Sequence, residues 1–161
     1  MSKANHLRLH HVGYATKDIQ PSAATYIARF GYELSTDIIH DPAQTALVQF
    51  LKLPGDQTYL ELVAPDGPKS KLSSTVKRAI HLNHLCYISG PLEEAIAHLE
   101  QNGLKLFSDP KPAVAFAGRR ICWLLGPDQL PIELVERREA DDLCIPGLEI
   151  PKSSPDRQTA V

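Results

Sequence analysis

Four side chains able to bind a metal stand at matching places in two stretches of this 161-residue chain. His11 lies in the strand-like run LHHVGYA and His84 in LNHLCYI, while Glu61 and Glu133 close the runs TYLELV and LPIELV. The histidine-to-glutamate separation is 50 residues in the first stretch and 49 in the second. Taken singly, a histidine in an apolar strand reads as a packed residue, and a glutamate between apolar neighbours as the outer face of an alternating strand. Recurrence of both in both copies favours a shared purpose. Two imidazoles and two carboxylates turned into one cavity make a five- or six-coordinate site for a divalent transition metal, with positions open to water or substrate. Such an ion stabilises the negative charge left when a bound group loses a proton. A positioned carboxylate must move that proton.

The elements that position these residues come as a repeat. Residues 9–34 lie over residues 82–106, each a strand-like run followed by an amphipathic segment that ends in glycine. In the first copy Ala23, Ile27 and Phe30 fall at helical spacing between Pro21 and Gly31; in the second Leu92, Ile96 and Leu99 do so between Pro91 and Gly103. Proline at a helix start and glycine just past its end is the expected asymmetry. Residues 50–63 lie over residues 122–135 at an offset of 72, with Asp56 and Gln57 on Asp128 and Gln129, which marks a turn between two strands. Each copy therefore reads strand, helix, and two or three strands. Neighbouring strand residues point to opposite faces. Alignment of Leu9, His11 and Tyr14 with Leu82, His84 and Tyr87 turns His11 toward the cavity and leaves His10, opposite Asn83, on the far side, replaceable at little cost.

Composition bounds the reading. At 43% hydrophobic and 22% charged residues, the chain buries one well-formed α+β domain. That domain covers residues 1–136, as module 7–66 and module 80–136 joined by a linking helix at 67–79, with a partly mobile tail at 137–161. A net charge of −2 gives no basic surplus for nucleic acid or an anionic membrane. Apolar runs such as ICWLLG fall far short of the roughly 20 residues that span a bilayer, and no signal-type run opens the chain, so a cytoplasmic protein is expected. Cys86, Cys122 and Cys144 are odd in number and lack zinc-type spacing, so they read as core residues or free thiols.

LHHVGYA, TYLELVAP, LNHLCYIS and PIELVE together resemble the vicinal oxygen chelate, or glyoxalase, superfamily. The resemblance covers residues 7–136. It implies two βαβββ modules forming a curved half-barrel around one divalent ion (Co, Ni, Zn or Mn), with His11, Glu61, His84 and Glu133 as ligands. Within the superfamily the chain is most similar to methylmalonyl-CoA epimerases, through ELVAPDGPKSKLSSTVKRAIHLNHLCY and AGRRICWLLGP. The resemblance implies a homodimeric isomerase or epimerase acting on a small molecule such as an acyl-CoA thioester. A lactoylglutathione-lyase-like isomerase and a small-molecule binding protein of the same fold are the alternatives. A ring-cleaving dioxygenase fits less well, because its iron site uses two histidines and one carboxylate.

One position departs from the pattern. Epimerases of this type carry a proton-transferring glutamate in the strand where this chain has Gln49, and glutamine takes up no proton. The base role passes to Glu133 or Glu61. Gln49 is left to hydrogen-bond a substrate oxygen or to stand as a polar residue of a half-exposed strand. Arg119 and Arg120 offer forked donors to a carboxylate or phosphate, and Arg120 matches an arginine of the epimerase pattern. Cys86, two residues after His84, is read as cavity wall. Lys69, Lys71, Lys77 and Arg78 read as a solvated face, with attraction of substrate phosphates as the alternative. His6, His40, His81 and His98 have no repeat partner and are read as surface residues.

Overall fold

A computed structural model of the chain describes residues 7–137; His6, Cys144 and all of the tail beyond Arg137 lie outside the described residues. The first half runs β1 (Arg8–Ala15), α1 (Ile19–Phe30), β2 (Glu33–Leu34), β3 (Ile39–Asp41), β4 (Ala46–Lys52) and β5 (Tyr59–Pro65). A short connecting helix follows, α2 (Ser73–Lys77). The second half runs β6 (Leu82–Ser89), α3 (Leu92–Gln101), β7 (Lys105–Pro112), a 3-10 turn (Val114–Phe116), β8 (Arg120–Leu125) and β9 (Pro131–Glu136).

The nine strands among the described residues form one curved, unclosed sheet in the order β2-β4-β5-β1-β6-β9-β8-β7, with β3 also paired to β4. β1 and β6 meet antiparallel at the centre, and each has a parallel partner outside it, β5 or β9. The two halves therefore repeat outward from the β1–β6 seam. The short β2 and β3, both on the edge of β4, together take the place that β7 holds against β8.

Local chemistry sets the helices. The Asp18 side chain accepts the Gln20 backbone N–H at 3.2 Å at the start of α1, and Gly31, at φ 78°, closes it. Ile19 and Ala23 pack on Leu51, Leu60 and Leu62, while Leu92, Ala95 and Ile96 of α3 pack on Cys122, Leu124 and Leu134. The alternate residues of the same strands, among them Val48, Phe50, Val63, Ile121 and Val135, face the other way, where Ala115 and Phe116 of the 3-10 turn cover them. Central strands are thus buried on both faces. Each fully buried Leu such as Leu51, Leu62, Leu124 or Leu134 adds about 1.5–3 kcal/mol. Among the described residues, no helix is long and apolar enough to cross a membrane.

The structure corrects two expectations about register. Phe50 pairs with Glu61 and Trp123 with Glu133, so the counterpart of Phe50 is Trp123 and not Cys122. The second hairpin loop is one residue shorter, and the offset of 72 slips by one on the strand before the turn. The second correction concerns His10. The β1–β6 ladder shifts register between Leu9 and His11, so His10 is an extra residue in a β-bulge. The bulge brings it to the same side as His11, 2% exposed and packed on Phe50, Tyr59 and Phe116.

Candidate metal centre

Two rows of side chains cross the inner face of the sheet. One runs His84 on β6, Gly13 on β1, Glu61 on β5 and Phe50 on β4; the other runs His11 on β1, Cys86 on β6, Glu133 on β9 and Trp123 on β8. Each is histidine, small residue, glutamate, aromatic. The small residue gives the imidazole its room: a Cβ at Gly13 would meet Cε1, Nδ1 and Nε2 of His84 well inside van der Waals contact. Glycine is required there by close approach.

The rows bring the four expected ligands together. His11 Nε2 lies 2.9 Å from His84 Nε2, 3.2 Å from Glu61 Oε2 and 3.3 Å from Glu133 Oε2; His84 Nε2 lies 3.0 Å and 3.4 Å from the same two oxygens. All four residues are nearly or fully buried. Donors at metal–ligand bonds of about 2.1 Å stand about 3.0 Å apart at right angles and about 3.4 Å apart at tetrahedral angles. The observed separations fall in that range. Glu61 Oε2, although buried and close to both imidazoles, has no hydrogen-bond partner among the described residues. Donor types and spacing both fit a divalent cation.

Outside the four donors, each ligand histidine has a partner for its other nitrogen. His84 Nδ1 is 2.7 Å from Asn83 Oδ1, and His11 Nδ1 is 2.7 Å from His10 Nδ1. Burial disfavours charge on His84, but Glu133 and Glu61 outweigh it and push its pKa up to about 9; His11 is raised for the same reasons. Burial likewise works against ionised Glu61 and Glu133, yet the two imidazoles hold both below the usual carboxylate range. His10 goes the other way. Burial, with His11 beside it, lowers its pKa to about 3, so it stays neutral.

The centre lies at a cavity of about 130 Å³ walled by Glu61, His84, Glu133, Asp41, Lys71 and Trp123, among others. A second hollow of about 470 Å³ adjoins it, sharing Asp41, Gln44, Lys71, Asn83, Ile121 and Trp123 and adding Lys111.

Three other expected site residues are placed elsewhere. Gln49 lies on the helix side of β4, between Leu47 and Leu51, and its Nε2 donates to Thr36 O at 3.0 Å; the cavity side of that strand carries Val48 and Phe50. Arg120 shares the helix side of β8 with Cys122 and Leu124, where its guanidinium bonds Glu93 Oε1 at 2.8 Å and both carboxylate oxygens of Glu136. Neither hollow is lined by Arg120 or by Arg119, whose Nη1 donates to Phe116 O at 3.4 Å. Cys86 is on the correct face but fully buried beside His11, beneath the cavity rather than in its wall. Burial pushes its thiol well up, and Glu133 and Glu61 add to the shift, so it is no thiolate nucleophile.

Two cavity residues escape sequence reasoning. Asp41, 5% exposed, closes β3; its carboxyl accepts the Gln44 N–H at 3.2 Å and is raised in pKa by burial, then by Glu133 and Glu61. In the sequence HDPAQ it reads as turn chemistry, which it also performs. Trp123 stacks edge-on to His84 at 4.9 Å, and its buried Nε1 has no partner among the described residues. Its repeat relation to Phe50 is hidden by the shorter loop.

Fold and site together define a protein of two related modules that share one buried polar centre at their seam. Residues 10–123 match the Glyoxalase/Bleomycin resistance protein/Dioxygenase superfamily, and the chain belongs to it. Similar proteins include the uncharacterised protein YwkD of Bacillus subtilis, 26% identical over 80% of this chain and 96% of that one. The mitochondrial methylmalonyl-CoA epimerase of Dictyostelium discoideum is 26% identical over 82% of this chain and 78% of its own length. Among solved structures, methylmalonyl-CoA epimerase from Mycobacterium tuberculosis superposes with a TM-score of 0.72 at 22% identity, covering 86% of this chain and 94% of that one.

Proposed function

We propose that this chain is a metal-dependent isomerase of the epimerase type, which forms the enolate of an acyl thioester or related carbonyl substrate. The observation that carries the reading is the intact set of four donors, 2.9–3.4 Å apart where measured against the two imidazoles, at the inner end of a cavity. Likeness to methylmalonyl-CoA epimerases in sequence and fold supports the substrate class. His11, Glu61, His84 and Glu133 would hold one divalent cation, and the chemistry it supplies is positive charge for a developing oxyanion.

Glu61 and Glu133 each meet both imidazoles, which ties them to holding the centre. Asp41 is a third carboxylate lining the same cavity, in addition to Glu61 and Glu133, and we assign it the proton. Backbone N–H groups of Gln44 and Ala43 orient its carboxyl, which takes the proton from the substrate carbon to leave the enolate; return of a proton to the same face gives exchange, and to the opposite face epimerisation. A carboxyl raised above its ordinary pKa is the stronger base once ionised. Trp123 Nε1 donates to a substrate oxygen, and Lys71, at the junction of the two hollows, attracts an anionic substrate.

The test is hydrogen exchange. The Co2+- or Zn2+-loaded protein is expected to incorporate deuterium from heavy water at the α-carbon of methylmalonyl-CoA or another α-branched acyl-CoA. Asp41→Asn is expected to lower that rate by roughly 100-fold or more with metal affinity retained. Absence of exchange with every acyl-CoA tested would sink the enolisation reading. Full exchange by Asp41→Asn would remove Asp41 alone from it.

A further inference from the structure

The residue just before each ligand histidine occupies a β-bulge. The β1–β6 register shifts between Leu9 and His11 and again between Gly13 and Tyr14, which leaves His10 unpaired on β1 and Asn83 unpaired on β6. Each sits 2.7 Å from the Nδ1 of the histidine that follows it. The same device is built twice, once per half, with different side chains.

An imidazole that gives its Nε2 lone pair to a cation carries its hydrogen on Nδ1, and that N–H needs an acceptor. Asn83 Oδ1 is such an acceptor for His84. We propose that His10 is the matching positioning residue: its Nδ1 accepts the Nδ1–H of His11, fixing the tautomer and ring angle that present His11 Nε2 to the ion. The inference rests on the metal reading of His11, Glu61, His84 and Glu133. Its own support is the packing of His10. Tyr59, Phe116 and Phe50 surround the ring with centroids 5.1, 5.7 and 6.2 Å away, which restrains its rotation. Its Nε2 has no partner among the described residues, so the contact that accounts for a buried polar ring here is the one made by Nδ1.

The test compares two amides. Asparagine sets its side-chain oxygen where the histidine Nδ1 stands, the solution already used at position 83, and glutamine sets it one methylene further out. Wild type, His10→Asn, His10→Gln, His10→Ala and His11→Ala are titrated with Co2+ at one pH by calorimetry and by visible absorption of the bound ion. His10→Asn is expected to bind within about threefold of wild type, and His10→Gln and His10→Ala roughly 10- to 100-fold more weakly with an altered Co2+ spectrum. Matched melting temperatures of the two metal-free amide variants would tie the difference to the centre rather than to folding. Equal affinities of His10→Asn and His10→Gln would overturn the proposal. So would loss of binding in His10→Ala as complete as in His11→Ala, which would make His10 a ligand. A wild-type chain that takes up no Co2+ would instead overturn the metal reading itself, and this inference with it.

Discussion

At the scale of single residues, the metal-free centre is an ion-pair network, and that gives it a pH signature. His84 has a folded-state pKa of about 9 against an ordinary 6.5, so its contribution is complete below 6.5 and lost as pH rises through 9. Glu61 and Glu133 are depressed, so theirs is complete above about 4.5 and lost as pH falls below that value. His10, lowered to about 3, works the other way, because below 6.5 the unfolded chain protonates it and the folded chain does not. The metal-free protein is therefore expected to be most stable near pH 6.5 and to lose stability on going to pH 9. Metal reverses the trend, because the imidazoles must shed their protons to bind it. Melting curves with chelator and with Zn2+ at pH 6 and pH 9 check this; the same slope in both would refute the assignment of His84. The types of these residues are legible in the sequence because they recur in the repeat. Asp41 is not, since the matching place in the second half, next to the 3-10 turn, holds no acid.

Elements decide which side of the sheet a residue serves, and here the sequence is readable only in part. Strand, helix and hairpin can be read from period, proline and glycine, as β1 with α1 and β6 with α3 bear out. Parity within a strand cannot be read across a bulge. His10, taken as a neighbour on the far face, is turned inward because the β1–β6 ladder carries an extra residue there. Gln49 and Arg120 illustrate the converse: each lies in a strand that lines the cavity, yet one step out of phase with the residues that do so. Gly13 is the most exacting of these positions. Gly13→Ala drives a methyl into the His84 ring, so it is expected to cost about 1–3 kcal/mol in stability by overpacking and to weaken Co2+ binding by roughly 100-fold. Urea unfolding and calorimetry measure the two effects. An unchanged metal affinity would show that His84 does not need the space.

Over the whole molecule, the seam between the halves is also the line that divides the ligands. His11 and Glu61 come from the first half, His84 and Glu133 from the second, so each half supplies one imidazole and one carboxylate. Neither half can complete the centre alone. The sheet already joins the halves through the β1–β6 ladder, and an ion bound to all four residues would add a second link across it. Because the unfolded chain has no such preformed site, binding must appear as folding stability: at a free ion concentration of 100 times Kd the gain is about 2.7 kcal/mol. For a chain of this size that corresponds to a rise in Tm of roughly 5–10 °C. The rise should vanish in His11→Ala and in Glu133→Ala, one variant from each half. It should survive in Arg120→Ala, whose guanidinium links α3 to β9 on the opposite face and touches no ligand. A Tm that moves with metal in His11→Ala and Glu133→Ala as it does in wild type would place the ion elsewhere and dissolve the link between the repeat and the site.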